Sequence, residues 1–486
     1  MAVLLIFDFM NAGKVDPKNR LNDLDSKSWL KFQKSWFHPD STTPDAFIRF
    51  FTKARYPDDH TGTVLYYPSG LYDYFSPEVR QSRRLYSSSS HSGAMLDYIY
   101  FDVVAAGTLD PGVLLSALKR LRQGGYLTVV VRNVRRAGRT LPVAWNIAKW
   151  IGRYLTIKDE KIGCLTDDSG ARQLWPEAWD PEAFADIWTP ADDLLYFMNF
   201  RREAQTIPDE WPDLPETTNF SAVPDETSKT PATGGSGTFR KAWFVHKPPP
   251  RSEQVLLHPA KFPEDLVQKF VENFTDPGQW VLDPMAGTGS SLVAAAACGR
   301  CAFGIELNPE FAQIARSRFQ MMNTIQMVMG DARDPASYAL LPQKVDYCIT
   351  SPPYWDMLRM RGAETQRKRK AAGLPRWYSD DARDLGNIAN YGAFLDRLTE
   401  VYRQVIQHIK PGGYCTIIVK NVKKGGRMYP LAWDLVHRMQ PFCQFVGEQI
   451  WCQDDQRLAP FGYRYAWVSN TFHHYCLTFR KPAETG

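Results

Sequence analysis

Residues 349 to 358 read ITSPPYWDML. An apolar run through Val345, Tyr347, Cys348 and Ile349 leads into Ser351-Pro352-Pro353-Tyr354. The prolines remove backbone donors and fix the chain direction where a strand should end. A hydroxyl, a stiffened carbonyl and an aromatic ring are thereby held in one constellation. Such a corner suits chemistry in which acceptors must be aimed without reorganisation.

A second constellation lies upstream. VLDPMAGTGSS (281–291) places glycines at 287 and 289 between an apolar strand pattern and a helix pattern. Glycines there let the backbone approach a ligand, and a helix N-terminus follows. GIELNP (304–309) puts Glu306 at the end of the next strand, where a carboxylate can accept ribose hydroxyls. MGDARD (329–334) puts Asp331 at the end of the strand after that, within reach of an adenine amino group. Each acid alone reads first as a helix cap or a solvated loop. At the ends of three successive strands they describe a ligand that carries a nucleoside.

The elements that must position these groups alternate. WVLDPMAG, AFGIEL, IQMVMGD, KVDYCITS and GYCTIIVKNV read as strands, separated by helical patterns such as YGAFLDRLTEVYRQVIQHI. The alternation predicts an α/β fold, a mostly parallel sheet with helices on both faces and ligands at the C-terminal ends of its strands. The chain also repeats itself. GGYLTVVVRNVRRAGRTLPVAWNIAKW (124–150) and GGYCTIIVKNVKKGGRMYPLAWDLVHR (412–438) match without a gap at 12 of 27 positions. LDYIYFDVV (96–104) aligns with VDYCITSPP (345–353), LLYFMNFRR (194–202) with HHYCLTFRK (473–481), and FHPDSTTP (from 37) loosely with LHPAKFPE (from 257). Two copies of one unit are expected, 1–204 and 239–486, joined by a Pro-, Thr-, Ser- and Gly-rich linker at 205–238.

HPAKFP (258–263), DPMAGTGS (283–290) and TSPPYW (350–355), in this order, resemble the DNA amino-methyltransferases, which use S-adenosylmethionine to methylate cytosine N4 or adenine N6. The resemblance covers most of 250–481. It implies tandem Rossmann-like methyltransferase folds, each built on a seven-stranded sheet with an antiparallel last strand. It implies that His258, Phe262, Asp283, Ala286, Gly287, Gly289, Ser290, Glu306 and Asp331 hold the cofactor. It also gives the corner a task. An aromatic amine is a poor nucleophile, and acceptors on its hydrogens, Ser351 Oγ and the Pro352 carbonyl, favour the tetrahedral nitrogen that forms on methylation. Pro353 stiffens the corner, and Tyr354 offers a face to the extruded base, with Trp355 beside it. In that family serine at the first position is commoner among cytosine-N4 enzymes, and aspartate or asparagine among adenine-N6 enzymes. The expected partner is double-stranded DNA with a flipped target base; a cognate restriction endonuclease or a defence-system partner is compatible with the resemblance.

The first copy has Asp102-Val103-Val104 in place of Ser351-Pro352-Pro353, and TVLYYPSGLY (63–72) in place of the Gly-rich turn. It is expected neither to bind the cofactor nor to catalyse. Its RNVRRAGR (132–139) keeps the charge of KNVKKGGR (420–427). Arg132, Arg135 and Arg136, with Lys423, Lys424 and Arg427 in the second copy, read either as phosphate contacts or as a solvated basic loop. Related enzymes often carry a target-recognition region after the catalytic part, whereas here the sequence stops soon after HHYCLTFRK. Recognition is therefore expected from the inactive half and from 355–393. There Arg359, Arg361, Arg367, Lys368, Arg369 and Lys370 neighbour Trp377 and Tyr378.

Composition sets the outer bounds. A chain of 486 residues, 44% apolar and 23% charged, is globular, and its net charge of +5 permits a nucleic-acid partner without demanding one. No apolar run of about 18 residues predicts a membrane span. MAVLLIFDFM reads as a strand, since it lacks a basic leader and meets Asp8 early. Eight scattered cysteines, with one close pair at Cys298 and Cys301, suggest buried thiols in a reducing cytoplasmic compartment and no metal. An RNA methyltransferase, a non-catalytic scaffold and an oxidoreductase using the Gly-rich turn are the rivals. The last leaves Ser351 to Tyr354 without a task.

Overall fold

The computed structural model describes residues 15, 19–88, 93–136, 138–166, 192–212, 241–248, 263–320, 322–359, 371, 377–454 and 469–483. The first half contributes strands Trp36–Phe37 (β1), Thr63–Tyr67 (β2), Arg84–Ser87 (β3), Leu96–Asp102 (β4), Leu121–Val131 (β5), Val134–Arg136 (β6), Arg139–Leu141 (β7), Thr156–Cys164 (β8) and Leu194–Arg201 (β9). The second contributes Trp243–Val245 (β10), Trp280–Asp283 (β11), Cys301–Glu306 (β12), Ile325–Met329 (β13), Val345–Thr350 (β14), Ile409–Val419 (β15), Val422–Lys424 (β16), Arg427–Tyr429 (β17), Gln444–Cys452 (β18) and His473–Arg480 (β19). Central strands such as β4 are buried at every position, as parallel strands covered on both faces must be.

The two sheets share one order. It runs β1-β8-β9-β5-β4-β2-β3 in the first half and β10-β18-β19-β15-β14-β11-β12-β13 in the second. β9 and β19 are antiparallel to both neighbours. The seven strands expected of the second half are β18 through β13, and β10 joins them as a short eighth. The first-half sheet stops at β3, so no described strand corresponds to β13, which leads into Asp331. The repeat alignment is corrected at one place. It set Phe37 against Leu257, but Trp36 and Phe37 pair with Ile162 and Gly163 as Trp243 and Phe244 pair with Ile450 and Trp451. The counterpart of β1 is thus β10. The first half also reaches into the expected linker: Trp211 packs 4.2 Å from the Trp150 ring, and its Nε1 donates to Pro111 O at 2.7 Å.

The halves meet about a pseudo-two-fold axis, and equivalent residues between Asn133 and Cys164 in the first half and Asn421 and Cys452 in the second differ by 288. Cys164 and Cys452 lie near the axis, with Sγ atoms 3.8 Å apart. Trp145 and Trp433 stack across it at 6.3 Å and 10°. Asn133 Nδ2 donates to Glu448 Oε1 at 3.0 Å, and Asn421 Nδ2 donates to Glu160 Oε1 at 2.8 Å. Tyr196 OH reaches Glu448 at 2.8 Å, and Tyr475 OH reaches Glu160 at 2.6 Å. Trp36 Nε1 donates to Gln453 O and Trp243 Nε1 to Leu165 O, both at 2.9 Å. This is the self-complementary pattern of a two-fold dimer, written into one chain.

Candidate active site

β11 ends at Asp283, and the chain turns through Pro284 to Gly289 into helix Ser290–Ala297. Gly287 and Gly289 have φ of 56° and 78°, the left-handed region in which a side chain is strained. A Cβ on Gly289 would also sit 3.1 Å from Ala315 Cβ. Ala286 is buried, and its N–H donates to Ile305 O at 2.9 Å. The turn aims the carboxylate of the next strand. Gly287 N–H donates to Glu306 Oε2 at 2.7 Å, and Asn308 N–H donates to Oε1 at 2.8 Å. Burial pushes the Glu306 carboxyl up to about 7 against these two bonds. Ser290 Oγ donates to Glu264 Oε1 at 3.0 Å, in a cluster closed by the Arg318–Glu264 ion pair, so it fastens the helix.

Asp283 is fully engaged by protein. Its Oδ2 accepts the Ser291 hydroxyl; its Oδ1 accepts Thr350 Oγ1 at 2.7 Å and Met285 N–H at 3.0 Å. Burial raises its pKa to about 6. It therefore couples the Gly-rich turn to the last residue of β14. Asp331 lines a cavity and is paired with its neighbour Arg333. Burial works to raise its pKa, but the Arg333 side chain and N–H outweigh burial and hold it below the ordinary range.

Glu306, Asp331, Ser351 and Pro353 line one cavity at the C-terminal ends of β11 to β14. Pro284, Met285, Asn308 and Phe311 complete its inner wall, and Tyr378, Ser379, Arg383 and Asp384 its outer wall. The outer wall comes from the 355–393 stretch. Tyr378 O accepts Asn308 Nδ2 at 2.6 Å, and Ser379 Oγ donates to Asp384 Oδ2 at 2.8 Å, so this segment folds back over the cavity. Asn308 was legible as the cap of helix Pro309–Arg318, and the segment Tyr378–Asp384 carried no local signal.

β14 delivers Ser351 beside this cavity. Pro352 is buried, Pro353 half-buried, and Ser351 Oγ lies 3.0 Å from Tyr354 OH. Burial raises the Tyr354 hydroxyl well above its ordinary range, so the phenol stays protonated. Trp355 is not a free stacking face. It is 4% exposed, adopts φ 54°, packs 4.8 Å from Tyr429 and 5.2 Å from Tyr391, and carries Lys424 Nζ 4.2 Å above its ring. At the equivalent place in the first half, Asp102 caps Val103–Ala106 through Ala105 N–H at 2.8 Å, and burial pushes its carboxyl up to about 8.

The basic residues divide. Arg135 is 7% exposed, 3.6 Å from Glu448 and bonded to Thr140 Oγ1 at 2.6 Å. Lys423 pairs with the buried Asp159 of the first half, Lys424 with Asp356, and Arg132 with Asp192 at 3.3 Å. Arg135 and Lys423 are thus interface residues, a correction to the phosphate-contact reading: their charge is spent on buried carboxylates. Arg427 is exposed over the Tyr429 ring, and Arg359 is exposed beside Asn387, Asp380 and Trp377. The side chain of Arg136 and residues His258, Phe262, Arg361, Arg367, Lys368, Arg369, Lys370 and the N-terminal MAVLLIFDFM lie outside the described residues.

The DNA methylase family matches residues 152–317, a stretch that includes the Gly-rich turn and Glu306 and stops before the Ser351 corner. Type II methyltransferase M.XycI of Xanthomonas campestris pv. cyanopsidis is 33% identical over 100 residues, covering 20% of this chain and 32% of that one. M.BglII of Bacillus subtilis is 27% identical over 141 residues, covering 28% and 34%. M.Cfr9I of Citrobacter freundii is 37% identical over 92 residues, covering 19% and 29%. In each case the chain spans less than two thirds of its relative's length. Over these stretches the chain is similar to DNA amino-methyltransferases, and its Ser-Pro-Pro-Tyr corner stands beside a carboxylate-lined cavity at the strand ends.

Proposed function

We propose that the second half transfers a methyl group from S-adenosylmethionine to the exocyclic amine of cytosine, N4, in DNA. One observation carries this reading: Ser351 and the stiffened Pro352-Pro353 backbone stand at the mouth of a cavity that also holds the buried Glu306 carboxylate. The cavity fits the cofactor chemically. A carboxylate held by two backbone amides presents its remaining lone pairs to hydroxyl donors such as those of a ribose. Met285 and Phe311 give it apolar wall, and Glu306, Asp331 and Asn308 would hold the polar groups. Bound there, S-adenosylmethionine supplies an electrophilic methyl group.

The chain's own residues prepare the acceptor. Ser351 Oγ and the Pro352 carbonyl accept the two amine hydrogens, which favours the tetrahedral nitrogen. Tyr354 steadies the Ser351 hydroxyl and offers its ring to the base. The proton leaves after methyl transfer, so Ser351 needs no strong base beside it. DNA approaches the strand ends, where Arg427 and Arg359 are exposed.

Mass spectrometry of nucleosides from DNA incubated with labelled cofactor tests this, with Tyr354→Ala as control. Label in 4-methylcytosine that is lost in the control is the expected result. Label in 6-methyladenine would keep the mechanism and replace the base. Label confined to RNA would overturn the DNA assignment.

A further inference from the structure

The two halves superimpose register by register, so the places where they differ mark what the active half needs. Three such places lie together. Tyr354 corresponds to Ala105, three residues beyond the aligned Ser351 and Asp102. Trp451 pairs with His474 across β18 and β19, where Gly163 pairs with Leu195 across β8 and β9. In the active half these residues form an aromatic run: the His474 ring stacks on Trp451 at 4.3 Å and 15°, and lies 6.2 Å from the Tyr354 ring. The inactive half closes the same space differently. A Cβ at Gly163 would meet Phe197 at 2.8 Å, and Phe197 stands where the active half has Cys476. One half fills the position with Phe197; the other keeps Trp451 and His474 there beside Tyr354.

Among the described residues nothing hydrogen-bonds His474 Nδ1, although its ring is stacked on Trp451. The residue is 8% exposed, and Nδ1 is buried. A buried nitrogen left unpaired is costly unless something binds it. Its neighbours on β19 point the other way, because side chains alternate along a strand. The first half grips them. Ser35 Oγ accepts Phe472 N–H at 2.8 Å and lies 2.8 Å from His473 Nδ1. With the Ser35 hydroxyl donating to Nδ1, His473 Nε2 carries the proton and faces Glu160 Oε1 at 3.3 Å. Glu160 Oε2 accepts Tyr475 OH at 2.6 Å. Residues 472, 473 and 475 are thus held by the inactive half, and the one between them faces Tyr354.

We propose that Trp451 and His474 are part of the base-holding floor, and that Glu160 of the inactive half is a positioning residue for it, fixing His473 and Tyr475 on one face of β19 and thereby His474 on the other. This rests on the Ser351–Tyr354 corner being the site of methyl transfer. It gives the inactive half a task in the chemistry that needs no contact between that half and DNA.

Pseudo-symmetry supplies the control. Glu448 accepts Asn133 Nδ2 and Tyr196 OH in the mirror positions and also pairs with Arg135; Tyr196 lies on β9, which carries Leu195 instead of His474. Single-turnover methylation of DNA by the full chain is compared for Glu160→Gln, Glu448→Gln and His474→Ala. Glu448→Gln is expected to lower Tm more, because it also leaves the buried Arg135 without its carboxylate, yet only Glu160→Gln slows transfer, about tenfold, with cofactor affinity retained. In the His474→Ala background Glu160→Gln should add almost nothing further. Equal rates in the two glutamine variants, or full additivity with His474→Ala, would overturn the proposal. If Glu160→Gln does not fold, Tyr475→Phe against Tyr196→Phe is the milder pair. The imidazole 15N resonance of His474 supplies a readout besides activity. A wild-type chain inert on DNA, with that resonance moved by Glu160→Gln and not by Glu448→Gln, would sink the reading of the corner and keep the positioning. An unmoved resonance would sink the positioning.

Discussion

The Thr350 hydroxyl donates to Asp283 Oδ1 at 2.7 Å, joining the last residue before the Ser-Pro-Pro-Tyr corner to the last residue before the Gly-rich turn. Both groups are buried, and β11 and β14 are neighbouring strands. The bond fixes the distance between the place where a methyl donor would lie and the acceptors for the amine. Misplacing such groups costs rate without weakening either ligand.

Thr350→Val keeps the β-branched shape and removes the donor. Asp283 Oδ1 then keeps only the Met285 N–H, and the chain should lose about 1–3 kcal/mol of stability. Single-turnover methylation should slow by more than cofactor affinity falls, and Thr350→Ser should restore most of it. A rate that tracks cofactor affinity one for one would show that the bond does not set the geometry.

Glu306 is buried as a carboxylate at a cost to the fold. Its folded pKa is about 7, raised by burial from an ordinary value of 4.5. Between those values the folded chain binds a proton that the unfolded chain has released, so stability falls as pH rises through the window and stays lower above it. Glu306→Gln removes that dependence. Without cofactor, the variant should melt above wild type at pH 8, by at most about 3 kcal/mol, and the gap should shrink toward pH 4.5. The same variant should bind S-adenosylmethionine more weakly. A gap in melting temperature that does not change with pH would refute the burial argument.

Much of this site was legible because the signals are local. Prolines at 352 and 353 and glycines at 287 and 289 act on the backbone that carries them, and the repeat announced two folds before any coordinates. What escaped was decided by distant partners. Arg135 and Lys423 look like DNA-facing cations until the opposite half places Glu448 and Asp159 against them. Tyr378 sits in a basic, aromatic stretch, yet its backbone is claimed by Asn308, 70 residues earlier. Trp355 follows Tyr354 directly but is packed by Tyr391 and Tyr429. β10 is three residues long and shows itself only by its pairing with β18.

The proposed mechanism gives Tyr354 two separable functions, and two variants divide them. Tyr354→Phe keeps the ring and loses the hydroxyl 3.0 Å from Ser351 Oγ. A hydrogen bond of that kind is worth about 0.5–1.5 kcal/mol, so kcat should fall by about 2- to 10-fold. Tyr354→Ala also removes the stacking face, worth about 1–3 kcal/mol per base, and should fall much further. Equal losses in the two variants would mean that the ring contributes nothing and the hydroxyl carries the whole effect.

Arg135 and Arg427 carry the same charge at comparable places in the repeat and should behave oppositely. Arg135 is buried against Glu448, in the first half's counterpart of the loop that holds Lys423. Removing it leaves a buried carboxylate without its cation, a loss of about 3–5 kcal/mol. Arg135→Ala should therefore melt early while its DNA affinity, measured below the melting transition, keeps the wild-type salt slope. Arg427 is exposed at the strand ends. Arg427→Ala should leave the melting temperature in place, weaken DNA binding evenly across sequences and reduce the salt slope by about one. A reduced salt slope in folded Arg135→Ala would return that residue to the DNA-binding face. An unchanged slope in Arg427→Ala would move the DNA path away from the β16–β17 hairpin.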